Sequence, residues 1–268
     1  MKTIVITGAA GGLGRALAEH LAEQNWKVFA LDYNQEQLAT YQYPNVVTVQ
    51  VDVTDDASVA HAVEQVKAQT SSIDAIVNFA GILLLGSGVE VPAQDVMRIM
   101  NVNLMGTYRI NQGFFNLLLP NKGRIINISS ETGILSPAPF SAFYYMSKRA
   151  VEVYTDALRR ELRFLGIKVI KVRPGAFATN MQGNAMNLLQ KTLDESQLFK
   201  RQIEKGNGLA KHGAGNPKDP KVLAKKIEHI LTTKNPKIAY NVNINKTLKL
   251  LSSLPERLQD FIYYNVLK

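Results

Sequence analysis

The sequence predicts a doubly wound α/β fold, a parallel sheet covered by helices on both faces, and three observations lead there. Six short runs rich in β-branched residues alternate with stretches of helical periodicity through the first 175 residues. Several of these runs are apolar almost throughout, as strands buried on both faces of a parallel sheet must be. The first run also leads directly into a glycine-rich turn, TGAAGGLG at residues 7–14, that opens a helix.

Taken in order, the strand-like runs are Thr3–Thr7, Lys27–Asp32, Val46–Val53, Ala75–Phe79, Arg124–Ser129 and Lys168–Val172. Between them, residues such as Leu13, Leu17 and Leu21, or Val59, Val63 and Val66, recur at the spacing of one helix face. Beyond Pro174 the pattern loosens. The stretch from Ala176 to Pro217 holds MQGNAMNLLQ, then charged helix-like sequence, then GNGLAKHGAGNPKDP, whose glycines and prolines read as a mobile loop. A lid over about 177–215 is the expectation for so long a connection. A helix over about Val222–Thr232, a strand over about Ile238–Val242 and an amphipathic helical extension over about 243–268, carrying Leu248, Leu250, Leu251, Leu254, Leu258 and Ile262, complete a single domain of 1–268 without internal repeats.

Composition narrows the function classes. The chain has 268 residues, 46% of them apolar and 20% charged, which supports a substantial core and excludes disorder, collagen and coiled coil. With no cysteine there is no disulfide framework, thiolate zinc site or cysteine nucleophile, and a reducing compartment is the natural setting. His20, His61, His212 and His229 are too scattered to suggest a metal site, so none is expected. The absence of a long apolar run and of a signal-like N-terminus points to a cytoplasmic protein. The formal charge of +9 is unevenly spread: residues 1–180 carry 16 Lys+Arg against 15 Asp+Glu, and residues 181–268 carry 15 against 7. The basic excess therefore lies outside the motif-bearing part, where it implies weak attraction to anionic membranes at most, and nucleic acid is not an expected partner.

Three constellations carry chemistry. In TGAAGGLG, Gly8, Gly12 and Gly14 permit a tight turn, a close approach of backbone N–H groups to a pyrophosphate, and close helix–strand packing. Asp32 ends the second strand where a carboxylate can accept from the hydroxyls of an adenosine ribose and repel a 2′-phosphate. Tyr33, Ala9, Ala10 and Gly11 offer such a phosphate no positive charge and Arg15 is the nearest cation, so NAD is expected over NADP. Tyr144 and Lys148, four apart in YYMSKRAVEVYTDALRREL, share one helix face, where an ammonium is expected to lower the phenol's pKa and make it a general acid/base. Each feature has a plainer counterpart: a structural glycine turn, a solvated aspartate, a chance Tyr/Lys pair. Tyr145 and Arg149 form a second register, although an arginine does not relay protons.

Taken together, these residues resemble the short-chain dehydrogenase/reductase family in its compact, NAD(P)-dependent form, over roughly residues 1–180. TGAAGGLG, with Leu13 inside it, is similar to the family's TGxxxGxG, and Asp52 in VDVT, with Val53 beside it, to the acidic residue at the adenine ring. NFAG at 78–81 resembles NNAG, with Asn78, Ala80 and Gly81 retained and Phe79 in place of the second asparagine. Asn103 in NVNLMG, Ser130 in INISS, and Tyr144 with Lys148 in YxxxK match the catalytic set, and RPGAFAT at 173–179 looks like PGxxxT through Pro174, Gly175 and Thr179. One departure is spacing. Ser130 stands 14 residues before Tyr144, one more than usual, and Ser129 stands 15 before it.

The resemblance implies a Rossmann-type fold and an NAD-dependent oxidoreductase that interconverts an alcohol with a ketone or aldehyde. Tyr144 would be the acid/base, Ser130 would hold the same oxygen, Lys148 the nicotinamide ribose, and Asn103 a proton-relaying water. It also implies a homodimer or homotetramer built on helices containing Asn103–Leu119 and Tyr144–Leu165. Met181, Met186, Leu188, Leu189, Leu193 and Leu198 in the lid suit an apolar substrate, steroid-like or a medium-chain carbonyl, and equally suit packing of the lid onto the core. Lys200, Arg201, Lys205 and Lys211 face either an acidic substrate tail or solvent. Two rival functions share the motifs: another reaction on a bound nucleotide, such as epimerisation or dehydration, and a nucleotide sensor that uses its basic C-terminal third on a membrane or nucleic acid.

Overall fold

A computed structural model describes residues 1–213 and 216–268, and the side chains of all of these but 180–186, 189 and 207–213. The expectations attached to Met181, Met186, Leu189, Lys211 and His212 lie outside the described side chains. The first half runs β1 (Thr3–Thr7), α1 (Gly12–Glu23), β2 (Lys27–Asp32), α2 (Gln35–Leu38), β3 (Val46–Gln50), α3 (Asp56–Lys67), β4 (Ala75–Asn78) and α4 (Ala93–Met100). A π-helical stretch (Asn101–Gly106) then leads through α5 (Thr107–Gly113) and α6 (Phe115–Leu118) to β5 (Arg124–Ile128), and a 3₁₀ turn (Glu131–Gly133) precedes α7 (Ala142–Leu162) and β6 (Lys168–Pro174). After β6 come α8 (Asn180–Glu195), α9 (Lys200–Gly213), α10 (Pro220–Thr232), β7 (Ala239–Val242), α11 (Lys246–Ser252) and α12 (Glu256–Leu267).

The strands form one parallel sheet in the order β3-β2-β1-β4-β5-β6-β7. Its central strands are buried on both faces, which accounts for their unbroken apolar sequence. Alternation along each strand divides the core in two. Ile4, Ile6, Val77, Ile126 and Val172 pack with Leu17 and Leu21 of α1 and Leu223 and Ile227 of α10. Val5, Ile76, Ile125 and Val169 pack on the other face with Val59 and Val66 of α3 and with Ile110 and Phe114 of α5 and its end. Because β1 leads to β2 on one side and pairs with β4 on the other, the chain reverses direction across the sheet between β1 and β4, and a crevice opens at their C-terminal ends.

Short polar side chains mark helix starts. Asp55 accepts from Ala57 N before α3, and Asp219 from Lys221 N before α10, where Pro220 takes the first position. The predicted strand boundaries shift by a few residues. β3 stops at Gln50, because Asp52 Oδ1 accepts from both Thr54 N and Thr54 Oγ1 and turns the chain out of the sheet. The larger correction falls within the stretch read as a mobile loop, residues 206–220: its first part, 206–213, is helical and continues the helix of the charged sequence before it. Tertiary contact overrides local propensity here, with Ile203 buried and Leu267 of α12 lying 3.7 Å from the position of a Cβ on Gly206. Among the described residues no helix is long and apolar enough to cross a membrane.

Candidate active site

The crevice is an open cleft of about 1550 Å³. One end is lined by the glycine turn and by Asp32, Tyr33 and Asn34, the other by Ser130, Tyr144, Lys148, Pro174 and Gly175. The turn is built on close backbone contacts. Gly8 has φ +68°, and a Cβ there would lie 2.8 Å from Ala80 N; a Cβ on Gly14 would lie 2.2 Å from the Gly8 carbonyl oxygen. Gly12 faces Thr179 across the cleft, 3.6 Å from its Cβ to the position a Cβ would take. The N-cap of α1 is Gly11, which supplies no capping side chain, and the first turn holds no acidic residue. The helix therefore offers its N–H groups to an anion from the cleft.

Asp32 also organises this turn: its Oδ2 accepts from Ala10 N at 2.9 Å and its Oδ1 from Asn34 N at 3.0 Å. Asp52, Val53, Leu13, Ala80 and Gly81 line the cleft as expected for residues placed around its floor. Asn78 does not. It is buried beneath the floor, where its Nδ2 donates to Asn111 Oδ1 at 2.8 Å and Asn127 Oδ1 at 2.9 Å. Asn127 in turn donates to Thr155 Oγ1 at 3.0 Å, so an amide network joins β4, β5, α5 and α7 below the site. An asparagine inside the otherwise apolar run RIINI was the signal for it.

At the other end, α7 carries Tyr144 and Lys148 one turn apart. Lys148 is 6% exposed; its Nζ lies 5.9 Å from the Tyr144 ring centroid and donates to Ile128 O at 3.2 Å. Burial pushes the ammonium down to about 8. The phenol behaves differently from the sequence-based expectation. Burial raises its pKa, a hydrogen bond from the Ser130 hydroxyl pulls in the opposite direction, and the Glu131 carboxylate adds to the rise. Desolvation of the phenolate outweighs the Ser130 hydrogen bond here. Ser130, rather than Ser129, is the serine that reaches Tyr144; Ser129 Oγ donates to Lys148 O at 3.3 Å instead.

Asn103 sits in the π-helical stretch and is buried outside the cleft lining. Its Nδ2 donates to Ile82 O at 3.0 Å and Ser147 Oγ at 2.9 Å, and its Oδ1 accepts from Ile82 N at 2.8 Å. Ser147 Oγ donates onward to Tyr144 O at 2.8 Å, so Asn103 braces the start of α7 against the chain leaving β4. The second register does not reach the site. Tyr145 is 6% exposed in the core and Arg149 donates to Leu135 O at 2.9 Å.

Behind Lys148, one turn further along α7, Glu152 takes two hydrogen bonds from Arg173 at 2.9 and 2.6 Å and pairs with Lys171 at 3.0 Å. Burial would raise its carboxyl, but the donors from Arg173, Lys171 and Ser129 prevail and hold it below the ordinary 4.5. The pairing therefore contributes fully above that value and is lost as pH falls through the lower folded-state value. Glu152→Ala is expected to cost about 3 kcal/mol, because it leaves buried Lys171 with Asp156 alone and strips partly buried Arg173 of its carboxylate. Urea unfolding at pH 7 measures this, and the gap from wild type should narrow below about pH 4.

The fold and cleft define a Rossmann-type nucleotide-binding protein. A family model described as short chain dehydrogenase matches residues 2–188. The chain belongs to the short-chain dehydrogenase/reductase family, oxidoreductases that bind NAD(P)(H) and act on CH–OH groups. It is 29% identical to retinol dehydrogenase 7 of Mus musculus over 98% of this chain and 88% of the relative. It is also 29% identical to an NADPH-dependent 3-dehydrocapnine reductase of Ornithobacterium rhinotracheale, over 100% and 98%. A crystal structure of a short-chain dehydrogenase from Streptomyces avermitilis superposes with TM-score 0.79 over 98% of this chain and 97% of that one, at 24% identity, and so shares the fold.

Proposed function

We propose that the protein is an NAD-dependent dehydrogenase or reductase that interconverts an apolar alcohol and its ketone or aldehyde. The observation that carries this reading is the meeting of Ser130, Tyr144 and Lys148 at one end of a cleft whose other end is the uncapped start of α1 and Asp32. The residues present fit a dinucleotide. A Cβ on Gly8 or Gly14 would collide with backbone, the N–H groups of α1 suit a pyrophosphate, and Asp52 and Val53 suit an adenine ring. When bound, the nicotinamide supplies or accepts the hydride.

In this reading Tyr144 protonates the carbonyl oxygen in reduction and takes the hydroxyl proton in oxidation. Ser130, whose single hydroxyl hydrogen reaches the Tyr144 oxygen in the free protein, turns it to that substrate oxygen when substrate is bound. Lys148, close to neutrality at about 8, binds the nicotinamide ribose and exchanges a proton with Tyr144. Asn103 acts as a positioning residue, and Pro174, Gly175 and Thr179 wall the nicotinamide. Ile82, Leu83 and Leu188 line the cleft, and Thr192 Oγ1, donating to Leu85 O at 3.3 Å, fastens α8 to the same loop. Such a lining suits an apolar substrate, as does likeness to a relative named for retinol.

Preference for NAD is supported by the lining near Asp32, where Tyr33, Asn34, Gln37 and Thr54 carry no charge. Arg15 is engaged by Glu19 at 2.7 Å and Thr40 Oγ1 at 2.6 Å and stacks on Tyr41. A relative that is NADPH-dependent makes the comparison worth measuring. With a panel of apolar secondary alcohols and ketones, followed by NADH absorbance, kcat/KM with NAD is expected to exceed that with NADP by at least about tenfold, a repelled 2′-phosphate being worth about 1.4 kcal/mol or more. Asp32→Asn should erase most of that ratio, and an enzyme that uses NADP equally well before the substitution contradicts the assignment. Exposed Tyr108 on α5 and Met146 and Val153 on α7 support a homodimer through these helices, which a light-scattering mass tests.

A further inference from the structure

The C-terminal segment, read from the sequence as an extension beyond the catalytic part, is bonded to the wall of the cleft. Gly175 N donates to Val242 O at 2.9 Å at the end of β7. Asn243 follows with φ +59°, a left-handed conformation that asparagine tolerates, and its Nδ2 donates to Ala176 O at 2.6 Å and Asn216 O at 3.2 Å. Asn245 N then donates to Glu131 Oε2 at 2.7 Å. A Cβ on Gly175 would lie 2.0 Å from Asn243 O and 3.1 Å from Glu131 Oε2, so three separate parts of the chain touch behind this one cleft-lining glycine.

Glu131 is the residue that joins them. It follows Ser130 directly and opens the 3₁₀ turn against which α7 packs. The groups facing it are the Tyr144 and Tyr145 phenols of α7 and the Asn245 N–H at the start of α11. Tyr144 is faced by Glu131, by Ser130 and, beneath its ring, by Lys148. The neighbouring Glu152 is already paired with Arg173 and Lys171.

We propose that Glu131 is a positioning residue for the reaction. Its carboxylate fastens Val242–Asn245 behind Gly175, and its negative charge bears on the Tyr144 phenol. The assignment rests on Tyr144 being the acid/base and extends the site to a residue that neither touches the reacting atoms nor lines the cleft. Burial raises the Glu131 carboxyl, partly offset by the Asn245 N–H.

Two variants separate the roles. Glu131→Gln keeps an oxygen for Asn245 N–H and removes the charge. A phenol relieved of a nearby negative charge ionises more readily, so the pH at which alcohol oxidation reaches half its plateau should fall by about half a unit or more, with the plateau kcat within about threefold of wild type. Glu131→Ala also removes the tether, and KM for the dinucleotide should rise by about fivefold or more, as the wall behind Gly175 loosens. Asn243→Gly retains the left-handed backbone, loses both amide bonds and should raise the same KM, so the tether remains testable if Glu131→Ala does not fold. An unmoved pH limb in Glu131→Gln, or wild-type KM in both tether variants, overturns the proposal. An active Tyr144→Phe enzyme overturns instead the acid/base reading beneath it.

Discussion

Tyr144→Phe should lower kcat for both directions by about 10²–10⁴, the usual worth of a positioned general acid/base, while leaving cofactor binding and thermal stability close to wild type. The ring fills the same volume in either residue, and the one group lost is the hydroxyl that Ser130 contacts. Tyr145→Phe is the control. Tyr145 belongs to the core and stays out of the cleft, so its loss should leave turnover within about tenfold. Steady-state kinetics of both variants with NAD and one accepted alcohol decide the matter. Equal damage in the two, or little in either, would remove Tyr144 from the chemistry.

Gly14→Ala is expected to be the most damaging small substitution at the opposite end of the cleft. The added carbon would stand 2.2 Å from the Gly8 carbonyl oxygen and 2.8 Å from the Gly8 carbonyl carbon, both backbone atoms that cannot rotate aside. The turn must open, and Gly8 has no room to yield because it is itself pressed against Phe79 and Ala80. Strain of this kind costs about 1–3 kcal/mol in stability, and a displaced turn should weaken dinucleotide binding by about tenfold or more. Gly11→Ala supplies the comparison, since a Cβ there meets nothing within 4 Å. Melting temperature and a dinucleotide titration by fluorescence or calorimetry read both effects, and equal behaviour of the two variants would contradict the packing argument.

Most of the fold was legible because a doubly wound sheet writes itself locally. Parallel strands buried on both faces must be apolar throughout, and turns that meet backbone must be glycine. Ser130, Tyr144, Lys148, Asp32 and the glycines were accordingly visible in the sequence, and the structure gathers them around one cleft. Asn78 was legible as a residue but not in its direction. Its side chain turns down into the amides of Asn111 and Asn127, residues distant in the chain, and no local pattern announces which face a strand-end asparagine presents. The loop reading of residues 206–213 failed for a related reason: their glycines and asparagine lower helix propensity, and packing of Gly206 against α12 favours the helix.

The sheet, the glycine turn that opens α1 and the Ser130, Tyr144 and Lys148 positions could be read along the chain, because each depends on residues close together or on a periodicity. Only the tertiary structure decided the rest. It reversed the expected direction of the Tyr144 shift, since burial depends on everything packed around the phenol and not on the lysine four residues away. It placed Glu152 between Arg173 and Lys171, and it brought Asn243 and Asn245, more than sixty residues beyond Gly175, against the wall of the cleft. Hydrogen bonds and desolvation act through space, and the chain order that a sequence records is silent on them until the sheet has folded.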